Sequence, residues 1–138
     1  MSKGVIQIYY GEGHGKSTAA IGNAIHVASE GKNVIIIQFL KGKDENELAF
    51  LNRLEPEIKV FRFAKSDECF DELPENVKQE EIMNLRNGFN YGKKVVTTEA
   101  CDMLVLDEVL GIMDEKVITP DELKELFANK PEDMTLVC

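Results

Sequence analysis

Five short apolar runs, each of strand length, recur along the chain and alternate with segments of helical pattern. The runs cover residues 5–10, 33–40, 58–63, 103–109 and 134–138. In the second run the continuous β-branched stretch Val34 to Ile37 is typical of a strand that is covered on both faces. Strands alternating with helices predict a mainly parallel sheet with helices on both sides. We therefore expect a three-layer α/β sandwich, with its ligand at the carboxyl ends of the strands.

Two segments in the first half of the chain carry helix signals. Residues 17–29 are rich in Ala and Ile and are followed by Gly31, a residue that commonly ends helices. Residues 45–54 predict a shorter helix, which Pro56 would prevent from continuing.

The second half predicts two more helices. Residues 74–98 place apolar side chains mainly at helical spacing, so one side of this helix should pack on the sheet. Gly88 and Gly92 either weaken this helix or permit close packing, and both interpretations remain open. Thr119 is a suitable cap for a last helix, with Pro120 in its first turn.

Size and charge narrow the classes of protein. A chain of 138 residues with 43% hydrophobic content predicts a single domain covering residues 1–138. The net charge of -9 argues against general binding to nucleic acid or to anionic membrane surfaces. Residues 1–43 nevertheless carry five Lys against two Glu, whereas residues 44–81 carry twelve acidic side chains against five basic ones. The first third is therefore suited to a local anionic ligand.

The cysteines indicate a reducing compartment. Cys69, Cys101 and Cys138 are odd in number and have no C-x-x-C spacing, so they predict neither a disulfide framework nor a zinc site. The first residues contain no apolar signal region, and no apolar run is long enough to span a bilayer. These features predict a cytoplasmic protein.

The sequence GEGHGKST at residues 11–18 is predicted to be a phosphate-binding loop between the first strand and the first helix. Its glycines let successive N–H groups approach an anion, and the helix N-terminus adds positive potential. Lys16 supplies a formal charge, and Ser17 can ligate the cation that accompanies a nucleoside triphosphate, with Thr18 a second candidate. The predicted phosphate-binding residues are Gly11, Glu12, Gly13, His14, Gly15, Lys16, Ser17 and Thr18.

This loop is one residue shorter than the general pattern. G-x-x-x-x-G-K-[ST] requires a glycine at position 10, where the chain has Tyr10. The alternative interpretation is an ordinary strand-to-helix turn that uses glycine for its geometry alone. His14 either contacts phosphate or is a solvated loop residue.

A second candidate site follows the fourth apolar run. Asp107 and Glu108 come directly after apolar residues, where a carboxylate can hold Mg²⁺ beside a phosphate loop. A solvated strand end is the alternative. None of the three arginines, Arg53, Arg62 and Arg86, lies in an evident arginine-finger motif, so phosphate hydrolysis is not well supported.

Three segments together resemble the ATP:corrinoid adenosyltransferase family. They are G-x-G-x-G-K-S-T-A-A at residues 11–20, the segment at residues 31–42 that ends in Q-F-L-K-G, and D-M-L-V-L-D-E at residues 102–108. The family loop is also shortened by one residue. The resemblance implies a RecA-like P-loop NTPase fold, and it runs from about Val5 to Val137.

The resemblance also implies a reaction and its site residues. Reduced cobalt of a corrinoid attacks the 5′ carbon of ATP and expels triphosphate. Lys16 and Glu108 would be the catalytic residues, and Ser17, Asp107 and Glu108 would hold Mg²⁺ or Mn²⁺. Lys41 would assist the phosphates, unless it is a solvated loop lysine, and Phe70 would contact the corrinoid, unless it is a core residue. A flavoprotein reductase and a second copy of the chain are the implied protein partners.

Two departures from the family pattern leave alternatives open. Position 14 is His where the family commonly has Lys, and the chain is expected to be short at its C-terminus relative to the family. The alternatives are an ATP-binding protein without transferase activity and a generic P-loop ATPase or small-molecule kinase.

Overall fold

The computed structural model describes residues 5–8, 15–39, 53, 57–62, 74–107 and 109–138, with side chains from residue 19 onward in the second range. Five strands are present in these ranges. They are β1 (Ile6–Gln7), β2 (Val34–Gln38), β3 (Ile58–Arg62), β4 (Met103–Asp107) and β5 (Thr135–Val137). Four helices accompany them: α1 (Gly15–Ser29), α2 (Glu75–Thr98), α3 (Val109–Asp114) and α4 (Pro120–Ala128).

The strands form one sheet in the order β1-β5-β4-β2-β3. Every pairing between neighbouring described strands is parallel. The connection from β1 to β2 crosses the sheet in one direction, and those from β3 to β4 and from β4 to β5 cross it in the other. Crossover connections between parallel strands have the same hand. The helix that connects β1 to β2 must then lie on one face of the sheet, and the helices of the two connections in the other direction must lie on the opposite face.

Each face of the sheet has its own apolar cluster. On one face, Ala20 and Ala24 of α1 pack with Val34, Ile36 and Val105 of the sheet. On the other face, the alternate strand residues pack with α2, α3 and α4 in a larger cluster that includes Phe89, Ile112 and Leu126. We name these the α1 face and the α2 face. The predicted three-layer α/β sandwich is therefore confirmed.

Helix α2 packs on the middle of the sheet at Gly92. A Cβ atom at this position would lie 3.4 Å from Cδ2 of Leu106 and 3.6 Å from Cδ1 of Ile37. Gly88 is also buried, and α2 continues unbroken through both glycines. Both distances are ordinary van der Waals contacts, so a methyl group would fit at Gly92 and the packing of α2 on β2 and β4 does not require glycine there.

An ion pair links α4 to α2, and a capping box stabilises the start of α4. Nη1 of Arg86 donates to the carbonyl of Val117 at 2.7 Å, and Nη2 donates to Oε2 of Glu122 at 2.9 Å. Glu122 also completes a capping box with Thr119, whose hydroxyl accepts from the Glu122 N–H at 3.1 Å. The predicted cap and the Pro120 start are confirmed. Hydrogen bonds from Arg86 hold the pKa of Glu122 below its ordinary value.

The predicted ends of several elements differ from the observed ones. The first strand is Ile6–Gln7, so Val5 and Ile8 lie outside it. The fourth run ends as a strand at Asp107, and Val109 instead begins the short helix α3, which the apolar pattern did not predict. Helix α1 begins at Gly15 and is followed by Gly31 in a left-handed conformation with φ of 84°, as its predicted end requires. The predicted helix at residues 45–54 lies outside the described residues.

Candidate functional site

The first turn of α1 lies where the sequence predicts a phosphate loop. Strand β1 precedes it and α1 begins at Gly15, so Lys16, Ser17 and Thr18 occupy the start of a 15-residue helix. This first turn contains no acidic residue. The positive end of the helix dipole is therefore not offset by a carboxylate in that turn. The strand-to-helix context that the motif requires is present, and the turn is suited to an anion.

Several predicted site residues lie outside the described part of the chain. They are Gly11, Glu12, Gly13, His14, Lys41, Phe70 and Glu108. For Gly15 to Thr18 the structure describes the helical backbone and not the side chains. Their assigned roles therefore stay predictions.

Asp107 ends β4 at the carboxyl edge of the sheet and is half-buried. Its backbone carbonyl accepts a hydrogen bond from the N–H of Phe39 at 3.1 Å. This bond continues the pairing of β2 with β4 one residue past the end of β2, so the Asp107 backbone is held firmly. Strand β5 lies between β1 and β4, and the strand that leads into the loop is therefore about 10 Å from β4.

Three strands end in a polar residue at the same level of the sheet. Gln38 of β2 is in register with Asp107 of β4 on one side and with Arg62 of β3 on the other. We name these three residues the carboxyl-end row. It is the only row of the β4-β2-β3 pairing, among the residues that the structure describes, in which all three side chains are polar.

Strand alternation places the carboxyl-end row on the α1 face. Side chains at every second position of a strand share a face. Val34 and Ile36 pack in the α1-face cluster, so Gln38 points to the same side. By the same alternation, Asp107 is on the face of Met103 and Val105, and Arg62 is on the face of Ile58 and Val60. The row thus lies on the face that α1 covers, at the edge where α1 begins, because α1 follows the carboxyl end of β1.

The members of the carboxyl-end row differ in exposure. Gln38 is 9% exposed, whereas Asp107 and Arg62 are partly exposed. The Nε atom of Arg62 is buried and finds no hydrogen-bond partner in the part of the chain that the structure describes. The edge of this site therefore combines a carboxylate, a buried amide and a guanidinium across three adjacent strands.

The described residues contain no cluster of three or more His, Cys, Asp or Glu side chains that could hold a metal ion. Such a cluster is not needed for Mg²⁺ that arrives with a nucleotide, since this ion commonly uses one or two carboxylates, water and the phosphates. The partly exposed Asp107 carboxylate, at the edge of the sheet where α1 begins, is a hard oxygen donor and fits that role.

The two cysteines among the described residues do not supply a reactive group here. Burial raises the pKa of Cys138, which follows β5 at the same edge of the sheet, to about 12. Burial also raises the pKa of Cys101 to about 12. Both residues are free thiols and stay protonated at neutral pH, so neither is a ready nucleophile or thiolate ligand.

Sequence reasoning did not assign Gln38 or Arg62 to the site. Gln38 was visible as the first residue of Q-F-L-K-G, but nothing in that pattern defined its role. Arg62 lies in no arginine-finger motif, so no local pattern assigned it to the site. The signal that joins both to Asp107 is the strand register, which depends on the order of strands in the sheet.

The parallel sheet, the helix that follows the glycine-rich loop and the acidic end of β4 define an α/β protein of the phosphate-loop class. The family model described as ATP:corrinoid adenosyltransferase BtuR/CobO/CobP matches residues 2–138. This chain belongs to that family.

Curated relatives agree with the family model. The corrinoid adenosyltransferase of Escherichia coli strain K12 is 27% identical over 135 residues, which cover 98% of this chain and 66% of that protein. The corrinoid adenosyltransferase CobA of Salmonella typhimurium strain LT2 has the same identity and coverage. An uncharacterized protein of Nostoc sp. strain PCC 7120 is 25% identical over 143 residues, which are 37% of its length. The chain thus spans slightly less than two thirds of the two named enzymes.

Proposed function

We propose that this protein transfers the 5′-deoxyadenosyl group of ATP to the reduced cobalt of a corrinoid and releases triphosphate. The observation that carries the proposal is the carboxyl-end row. It places Asp107 on the α1 face, at the edge where Gly15 to Thr18 begin α1. Membership of the adenosyltransferase family supports the choice of reaction for this edge.

The electron balance of the transfer is simple. The cobalt(I) centre contributes an electron pair to a new bond with the 5′ carbon of ATP. The bond between this carbon and its oxygen breaks, and its electron pair leaves with the triphosphate. No phosphorus atom is attacked and no hydroxyl is deprotonated, so the site needs no general base. The absence of an arginine-finger motif in the sequence agrees with such a reaction.

The chain must then hold the ribose carbon in line with cobalt and stabilise a highly charged leaving group. Lys16 and the N–H groups of residues 11–18 would bind the triphosphate, with Thr18 and His14 beside it. Mg²⁺ or Mn²⁺, held by Ser17, Asp107 and Glu108, would supply positive charge to the leaving group. We assign the catalytic roles to Lys16 and Glu108.

The rest of the proposal concerns the corrinoid and the partners. Lys41 would assist the phosphates, and Phe70 would contact the corrinoid. A flavoprotein reductase would supply the electron, and the chain would act as a single nucleotide-binding domain within a homodimer in the cytoplasm. The free thiols of Cys101 and Cys138 agree with a reducing compartment. None of the described helices is both long and apolar enough to cross a membrane.

An anaerobic assay tests the proposed function. The protein is incubated with ATP, Mg²⁺ and chemically reduced cobalamin, and the light-sensitive spectrum of adenosylcobalamin is recorded. We expect product that requires both ATP and the corrinoid. ATP binding without product would support a nucleotide-binding protein, and phosphate release without corrinoid would support an ATPase. Either result would refute the proposal.

A further inference from the structure

Arg62 has a buried donor that takes no part in the proposed phosphate and metal sites. It ends β3, and its side chain lies on the α1 face beyond Ile58 and Val60. The residue is partly exposed, yet its Nε atom is buried and has no hydrogen-bond partner among the described residues. Buried N–H groups of native proteins are nearly always paired, so this donor has capacity for an acceptor that no described residue supplies.

The chemistry of the guanidinium limits the acceptor. Arg binds carboxylates side-on through Nε and one Nη, and the same pair of donors can hold a carbonyl oxygen. A partly exposed side chain can present Nη to a ligand while Nε becomes paired in the same contact. Pairing of the buried Nε with a ligand oxygen therefore requires a small movement of the Arg62 side chain toward the surface of the site.

The position of Arg62 separates it from the proposed phosphate site. The sheet order places β3 and β1 at opposite edges, four strand spacings or about 19 Å apart. Asp107 is two spacings, or about 10 Å, from Arg62, with Gln38 between them. A triphosphate held at the first turn of α1 and at Asp107 is thus on the other side of Gln38. The β3 side of this edge is therefore open to a part of the substrates other than the triphosphate, and we assign it to the corrinoid.

We propose that Arg62 binds a peripheral carboxylate or amide carbonyl oxygen of the corrinoid, donating from Nε and one Nη. This inference rests on the proposed function, because it takes the corrinoid as the second substrate. A corrinoid is a wide, flat macrocycle whose rim carries amide and carboxylate side chains. One rim oxygen at Arg62 orients the ring relative to Asp107, and Arg62 is therefore a binding residue for the corrinoid and not for ATP.

The test compares two arginines. Arg62→Met keeps a long apolar stem and removes all N–H donors, and Arg53→Met makes the same change at an exposed arginine. Equilibrium dialysis measures the Kd of cob(II)alamin in the presence of ATP and Mg²⁺, and calorimetry measures the Kd of ATP alone. We expect Arg62→Met to raise the cobalamin Kd by about 10- to 100-fold, as loss of a hydrogen bond to a charged group does. Its ATP Kd should stay within twofold, and Arg53→Met should change neither value.

A second variant and a stability readout separate binding from folding. Arg62→Lys keeps the charge but lacks Nε, and we expect a smaller rise in the cobalamin Kd than with Met. Thermal melting of each variant identifies a merely structural role, which would lower Tm without changing either Kd. If Arg62→Met does not fold, the Lys variant decides by the same criteria.

Four outcomes would overturn the inference. They are a cobalamin Kd within twofold of the parent, an ATP Kd that rises by the same factor, an equal effect of Arg53→Met, and a parent protein that does not bind cobalamin. A different measurement, the formation of adenosylcobalamin, shows whether the proposed function fails. A parent that binds cobalamin and ATP but forms no adenosylcobalamin would refute the transfer, and the dialysis would still report on Arg62.

Discussion

The two faces of the sheet end differently at the same edge. On the α1 face the last paired row is Asp107, Gln38 and Arg62, and all three side chains are polar. On the α2 face the row directly before it is Leu106, Ile37 and Phe61, and all three are apolar. The α2 face then continues apolar, since Phe39 is fully buried in its cluster.

This difference assigns stability and ligand binding to opposite faces of the same strands. Three helices cover the α2 face and enclose the larger cluster, so most of the buried apolar surface lies there. One described helix covers the α1 face, and its N-terminus and the carboxyl-end row share an edge. We expect substitutions on the α2 face to change stability and substitutions at this edge of the α1 face to change ligand binding.

The largest effect is expected on the α2 face. Phe89→Ala removes a fully buried ring and should lower the free energy of unfolding by about 4 kcal/mol, which urea denaturation measures. Ile25→Ala on α1, where the side chain is 40% exposed, is the control and should cost less than about 1 kcal/mol. Equal losses of unfolding free energy in the two variants would show that the α2-face cluster is not the main source of stability.

Lys16→Ala tests the first turn of α1. Loss of a charge that stabilises the leaving group should reduce adenosyl transfer by about 100-fold with little change in Tm. Lys32→Ala, just beyond the other end of α1, should transfer at nearly the parent rate. Transfer by Lys16→Ala at the parent rate would show that the helix start does not serve the reaction.

Asp107→Asn tests the carboxyl-end row. Replacing a charged oxygen ligand by an amide should raise the Mg²⁺ concentration for half-maximal activity at least about tenfold. Asp102→Asn is the matched control, because the exposed Asp102 lies just before the other end of β4 and accepts a hydrogen bond from the N–H of Asn33. An unchanged Mg²⁺ requirement in Asp107→Asn would exclude this carboxylate as a ligand.

The smallest effect is expected for the ion pair between Arg86 of α2 and Glu122 of α4. The side chains of Arg86 and Glu122 are 40% and 23% exposed, so Glu122→Gln should cost less than about 1 kcal/mol. The folded pKa of Glu122 is lowered from 4.5, so the unfolded state binds the proton more tightly. The contribution is thus complete above about pH 4.5 and is lost as pH falls through the lower folded pKa.

Thermal melting at several pH values measures this contribution. The difference in Tm between the parent and Glu122→Gln should be constant near neutral pH and shrink below about pH 4.5. A difference that grows on acidification would contradict the assigned sign.

Patterns within single segments predicted most of the fold. The β-branched residues 34–37 indicated a buried parallel strand, and Thr119 with Pro120 located the start of α4. Helix α3 was missed because Val109 continues the apolar run of β4, and six residues are too few to establish helical periodicity. The packing of α2 at Gly92 against Leu106 joins segments that are distant in sequence, and no local pattern contains it.

The candidate site was predicted only in part for a related reason. Asp107 was found because a carboxylate after an apolar strand is a local signal. Gln38 and Arg62 join it through pairing between strands that are distant in sequence, and the order β1-β5-β4-β2-β3 cannot be read from alternation alone. A residue becomes part of such a row only when its strand, its face and its register are all known.

Identification of the phosphorus product tests the central claim most directly. ³¹P NMR of the anaerobic reaction with ATP, Mg²⁺ and chemically reduced cobalamin distinguishes intact triphosphate from ADP and free phosphate. We expect one triphosphate for each adenosylcobalamin formed, and no triphosphate when cobalamin is omitted. ADP or phosphate as the phosphorus product, or triphosphate formed without cobalamin, would contradict transfer from the 5′ carbon at this edge of the sheet.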